Sequence, residues 1–194
     1  MILTSTRNIQ ENAVYFKTTA MCLLLMAAPA LASDAHNHHH GHAHGHAAHV
    51  HGVAQLEVVA EGAELHLRLE SPLESLLGFE RAPRNDKERA AVAEMRKKLA
   101  DAGKLFTPTS AAQCTLKSVQ VTAPTLDGKV AASGEHADLE ANFQFGCAQP
   151  AKLTGVEVRL FQAFPKMRRV EAQIISAKGQ KATRLSSKMR FLSW

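Results

Sequence analysis

Between residues 137 and 147 the apolar side chains fall on every second position: Ala137, Leu139, Ala141, Phe143, Phe145 and Cys147. The intervening Asp138, Glu140, Asn142 and Gln144 are polar. A sustained period of two fits a strand with one buried and one wet face, because successive side chains leave a strand on opposite sides. The pattern also occurs earlier. Ala54, Leu56, Val58 and Ala60 alternate with Gln55 and Glu57, and after Glu61-Gly62 the alternation resumes as Leu65, Leu67 and Leu69 against His66, Arg68 and Glu70. This predicts a β-hairpin. The two apolar faces coincide only if paired residue numbers sum to an odd value, which requires a loop of two or four residues. Pairing Val58 with Leu65 and Leu56 with Leu67 meets that condition, and it sets Glu57 opposite His66 on the outer face.

Helical signals separate the strands. Ser71-Pro72-Leu73-Glu74 reads as a capping box with proline at the first helical position, opening a short helix that Gly78 ends. Asn85, with Glu88 three residues on, caps a longer helix that Gly103 stops. Val92, Met95, Leu99 and Ala102 are its expected buried stripe, and Glu94 and Lys98 are spaced to pair. Cys114 to Val121 reads as a bulged strand. Residues 156–160 are expected to continue the sheet and Val170 to Ile174 to pair back. These elements predict an α+β domain over residues 52–194: an antiparallel β-sheet or open barrel with one main α-helix.

The N-terminal part has a different character. Residues 1–32 carry Arg7 and Lys17, an apolar run from Ala20 to Ala28, and Ala30-Leu31-Ala32. That is the form of a cleavable export signal, too short to span a bilayer, and it implies a periplasmic protein with no membrane anchor. Residues 33–51 follow as a His-rich arm. Nine of the chain's eleven histidines lie there: His36, His38, His39, His40, His42, His44, His46, His49 and His51. The spacers are Gly, Ala, Asn and one Val, so the arm has no apolar periodicity, cannot form a core, and is expected to be disordered. Imidazole is the commonest protein ligand for zinc, copper and nickel, and short His-rich tracts read as metal binding. Cleavage after Ala32 would remove Cys22 and leave Cys114 and Cys147. In an exported chain these suggest one disulfide bond, and the period-two pattern turns Cys147 inward.

The formal net charge of +5 raises nucleic acid or an anionic surface as partners. Lys and Arg are interspersed with Asp and Glu and aromatics are few, so the basicity is read as a solvated surface, with no nucleic-acid partner. There is no H-E-x-x-H, G-x-S-x-G or phosphate-loop sequence, so the chain is read as not an enzyme. The alternatives are a chaperone or sponge for nickel, copper or cobalt, or a metal-dependent hydrolase.

Several runs together resemble the ZrgA-type periplasmic zinc-uptake proteins, a family first catalogued as a domain of unknown function. They are His49-Val50-His51-Gly52-Val53-Ala54-Gln55-Leu56, Ser71-Pro72, Gly78-Phe79-Glu80-x-Ala82-Pro83, Leu105-Phe106 and Ala112-x-Cys114. The match continues in His136-x-Asp138-Leu139-Glu140-Ala141, Phe143-x-Phe145-x-Cys147, Leu160-Phe161-x-x-Phe164-Pro165 and Gly179-Gln180. The resemblance covers residues 49–194. It implies zinc binding in support of zinc import, with zinc ions and transporter components as partners. Two departures reduce the number of zinc ions it implies. Family members usually carry a second His/Asp-rich loop where residues 125–135 have no histidine, and often a histidine where this chain has Arg81.

The expected metal ligands therefore fall into two sets. The arm supplies exchangeable sites, and a more ordered site is expected from His49 and His51 at the arm's junction with the first strand, with His136 and Asp138. Whether His66, Glu80 or Glu140 adds a ligand stays open.

Overall fold

A computed structural model describes residues 50–128 and 137–194. The residues read as an export signal, most of the His-rich arm and His136 lie outside the described residues.

The hairpin forms as the alternation requires. β1 (Val53–Glu61) and β2 (Glu64–Pro72) pair antiparallel around a two-residue turn at Gly62 and Ala63. The paired numbers sum to an odd value, but the register differs by two residues from the simplest apolar match. Val58 opposes Leu67, Glu57 opposes Arg68, and Val59 opposes His66. Parity permits both registers, and the turn decides between them, since Gly62 takes φ +54, a left-handed conformation that glycine adopts at little cost.

β5 (Asp138–Cys147) lies on the other side of β2, and β4 (Cys114–Thr122) closes that edge with the expected bulge, between Leu116 and Ser118. On the opposite flank β7 (Arg169–Ser176) runs parallel to β1, and β8 (Gly179–Leu185) forms the second edge. The order is β4-β5-β2-β1-β7-β8. The sheet is thus open and, through β1 and β7, mixed. β3 (Phe106–Pro108), β6 (Gly155–Val158) and β9 (Phe191–Ser193) form a separate three-stranded sheet. Residues 156–158 therefore belong to a second layer and do not continue the first sheet.

The second layer exists because the large sheet buries only one face. Leu56, Val58, Leu65, Leu67, Leu69, Leu139, Phe143, Val170 and Ile174 are all buried on it. Against them pack Phe106, Val156, Val158 and Leu192 of the small sheet, with Met95 and Leu99 of α2 (Asp86–Ala100). The Phe106 and Phe143 rings meet at 4.9 Å between centroids. Each fully buried Leu or Phe contributes roughly 1.5–3 kcal/mol, so this seam dominates stability. α2 starts as its sequence directs, with Asn85 Oδ1 accepting from the Glu88 N–H at 2.9 Å. It ends at Asp101, and Gly103 instead lies within α3 (Ala102–Leu105). Lys98 does not pair with Glu94. Its ammonium donates to the Ala163 carbonyl at 3.1 Å and sits over the Phe164 ring, since a partner across the core orders it better than an exposed neighbour on the same helix.

The Ser71 capping box does not form. Ser71 and Pro72 extend β2, opposite Leu139 and Asp138, and the Ser71 hydroxyl donates to the Pro72 carbonyl. Strand pairing uses the backbone that a cap would have needed. The short helix follows as α1 (Leu73–Leu77), and Gly78 ends it at φ 89. Cys114 and Cys147 face each other on β4 and β5 and are disulfide-bonded.

Candidate metal centre

The junction between the His-rich segment and β1 is held from three sides. Residues 50–53 make a tight turn in which the Val53 N–H donates to the Val50 carbonyl at 2.9 Å. Gly52, at φ +80, donates its N–H to the hydroxyl oxygen of Ser75, a fully buried side chain on α1, at 2.8 Å. Its carbonyl accepts from the N–H groups of Arg168 and Arg169 at 2.8 and 3.0 Å. The Arg168 guanidinium also donates to the His51 carbonyl at 2.8 Å. A Cβ on Gly52 would come within 2.6 Å of Arg168 Nε and 3.2 Å of the Lys166 carbonyl, so the close approach depends on glycine. The backbone of His51 is therefore fixed, although its side chain is exposed.

Opposite it stands the loop of residues 78–83, which the left-handed Gly78 turns away from α1. Arg81 anchors this loop, donating from both terminal nitrogens to Glu88 of α2 at 2.7 and 2.8 Å while lying over the Phe79 ring. The anchor brings Glu80 to His51, with Nε2 and Oε1 3.2 Å apart. Oε1 is buried, and among the described residues no hydrogen bond satisfies it. The imidazole is close to the carboxylate, yet its N–H is not aimed to donate. An unsatisfied buried carboxylate oxygen is costly. Two ligand atoms of one tetrahedral zinc ion, each about 2.0–2.1 Å from the metal, stand roughly 3.3 Å apart. The spacing suits a shared cation.

Among the described residues no group of three or more His, Cys, Asp or Glu side chains could hold a metal. His51 and Glu80 make a pair, and the neighbouring His49 lies outside the described residues. Asp138 opens β5 at the same end of the sheet, opposite Pro72. β2 separates β5 from β1, a spacing of about 9.5 Å across two strand intervals, so Asp138 is not brought beside His51 as a strand neighbour.

The other open candidates, Glu140 and His66, lie on β5 and β2. Glu140 accepts from Arg68 and Asn142 at 2.8 and 2.7 Å, and these hydrogen bonds, Arg68's first, hold its carboxyl below the ordinary range. His66 lines an open depression of about 330 Å³ on the outer face with Glu57, Ser118 and Asn142.

A family model described as the ZrgA family of zinc uptake proteins matches residues 48–194. The chain belongs to that family. The match begins one residue before His49 and takes in both halves of the His51 and Glu80 pair. A ZrgA family member is described by the uptake of an ion and not by a reaction. No curated protein matches the chain.

The sequence left Glu80 as an open candidate with no partner assigned, because the pattern reports periodic faces and not loop positions. The available signal was its confinement between the Gly78 helix stop and the Asn85 helix cap. Those two punctuations shorten the loop and make whatever it carries well positioned.

Proposed function

We propose that this family member is a periplasmic zinc-binding protein that captures zinc and supports its import. The observation that carries the reading is the pairing of His51 Nε2 with the buried, unsatisfied Oε1 of Glu80 at 3.2 Å. The pair sits where the His-rich segment meets the rigid sheet. Zinc is cargo here, so a site must bind it well and yet release it. His51 and Glu80 supply a nitrogen and an oxygen at tetrahedral spacing, and His49 adds a second imidazole. Asp138, at the same end of the sheet but across β2, and His136 are the further ligands in this reading. The histidines between His36 and His46 add weaker, exchangeable capacity through overlapping H-x-H sets. Copper outranks zinc for imidazole ligands in vitro, so the physiological metal is read from the uptake phenotype and not from affinity.

Calorimetric zinc titration tests the reading. Deleting residues 36–46 is expected to lower the number of zinc ions bound and to spare the tightest site. His51→Ala and Glu80→Gln are each expected to weaken that site at least tenfold. Loss of all binding on deleting the arm, or unchanged tight binding in both point variants, would overturn the ordered site. Growth of a strain lacking the gene should fail under zinc limitation and not under nickel or copper limitation.

A further inference from the structure

The chain's positive charge is gathered at one end. Residues 165–194 hold eight of the 23 Lys and Arg residues but one of the 18 Asp and Glu. That segment's formal +7 exceeds the +5 of the whole chain, leaving −2 on the remainder. The nearby carboxylates are already engaged: Glu171 serves Arg169 and Arg184, and Glu157 serves Arg159 and Arg190. Lys188 has no carboxylate partner among the described residues.

The fold lays this charge out as a strip. β8 is an edge strand, and the ammoniums of Lys178 and Lys181 donate to the carbonyls of Trp194 and Ser193 at 2.9 and 3.1 Å. The end of the chain therefore runs beside β8. Between them residues 186–189 form a tight turn, with backbone hydrogen bonds in both directions between Ser186 and Met189. At that turn Met189 is 59% exposed and Phe191 52% exposed, and they alternate with Lys188 and Arg190.

Basic residues on an edge strand guard against unwanted strand addition, which explains Lys181 and Arg184. It does not explain two large apolar side chains left about half exposed and alternating with two cations. That combination suits an anionic interface, where the apolar groups enter the headgroup layer and the cations meet lipid phosphates. No helix among the described residues is long and apolar enough to cross a membrane.

We propose that the strip formed by residues 178–194 is a peripheral docking surface for an anionic phospholipid bilayer, with Met189 and Phe191 as its apolar contacts. Such a surface would hold a zinc-uptake protein beside the membrane where import takes place.

The test is co-sedimentation of the purified protein at pH 8, where free imidazoles are neutral. The vesicles are one part phosphatidylglycerol to three parts phosphatidylethanolamine, against pure phosphatidylcholine. Preferential binding to the anionic vesicles is expected, weakening as salt rises. Lys181→Glu with Lys188→Glu should reduce it at least tenfold, since each basic residue near such a surface is worth about fivefold. Lys87→Glu with Lys97→Glu, an equal charge change on exposed positions of α2, should reduce it less than twofold. Met189→Ser should weaken binding while leaving its salt dependence unchanged, and it leaves Phe191 in place over Gly155. No preference for anionic vesicles at low salt, as a surface serving an acidic protein would give, overturns the proposal. Equal losses from the two charge-reversed pairs overturn it as well.

Discussion

Arg81 grips Glu88 with both terminal guanidinium nitrogens, and through that pair the loop bearing Glu80 is tied to the first turn of α2. Glu88 does more than balance charge. Its carboxylate also accepts from the Arg84 N–H at 2.7 Å, while its own N–H caps onto Asn85. One residue thus joins helix start, loop and candidate ligand. Position 81 thus serves to hold the loop.

The same pair predicts a pH dependence. The Arg81 hydrogen bonds first, and the Arg84 N–H second, lower the Glu88 carboxyl to about 2 from an ordinary 4.5. A carboxyl held lower in the folded protein than in the unfolded chain stabilises the fold above the unfolded value. That contribution is lost as pH falls through the folded value. The stability difference between the native protein and Glu88→Gln should therefore be full above about pH 4.5 and shrink steadily toward pH 2. Urea unfolding at pH 5.5, 4, 3 and 2.5 measures it. A difference that stayed constant across the series would mean the pair does not anchor the loop.

Gly52→Ala should damage stability and zinc binding together. Alanine at φ +80 costs roughly 1–2 kcal/mol from its own backbone, and the new Cβ would press on the Lys166 carbonyl and Arg168. Thermal unfolding should report the first effect. Calorimetry should report weakened binding at the tightest zinc site, because the turn that fixes His51 must shift. Gly62→Ala serves as the comparison: it also has a positive φ, but nothing lies within 4 Å of its added Cβ, so it should cost stability alone.

Removing the disulfide should destabilise without touching the metal. Cys114 and Cys147 are 33 residues apart, and closing a loop of that size is worth about 4 kcal/mol in the chain-entropy model. Cys114→Ser with Cys147→Ser should lower the denaturation midpoint by that order, leaving zinc affinity of the folded protein unchanged. Thiol labelling of the denatured, unreduced native protein should find neither cysteine free.

Much of this was legible in the sequence, and the rest was lost for identifiable reasons. Alternation gave β1, β2 and β5, the Asn85 cap gave α2, and the inward parity of Cys147 agreed with its bond to Cys114. The hairpin register was under-determined, because two registers satisfied the same parity and only the Gly62 turn separates them. Ser71 misled because a capping box is a local preference, and pairing with β5 claimed the residue first. The parallel contact of β1 with β7 joins segments more than a hundred residues apart, beyond any local period. Glu80 was an open candidate, but its pairing with His51 was hidden for a related reason, since that approach depends on Arg81 reaching α2.

The pH dependence of zinc affinity counts the imidazoles in the site. A metal and a proton compete for the same imidazole lone pair, and free imidazole titrates near 6.5. Below that value each imidazole ligand costs about one decade of affinity per pH unit. A free carboxylate, titrating near 4, stays available for the metal over the same interval. A site of two histidines and Glu80 should thus lose affinity with a slope approaching two decades per pH unit between pH 6 and pH 5, and a three-histidine site with a slope approaching three. Glu80→Gln should lower the affinity at every pH and leave the slope unchanged, whereas His51→Ala should reduce the slope by one. Competition with a chelator, corrected for the chelator's own protonation, measures both. Affinity that stayed flat from pH 7 to pH 5.5 would mean that histidines are not the principal ligands, and the zinc-capture reading would fail with it.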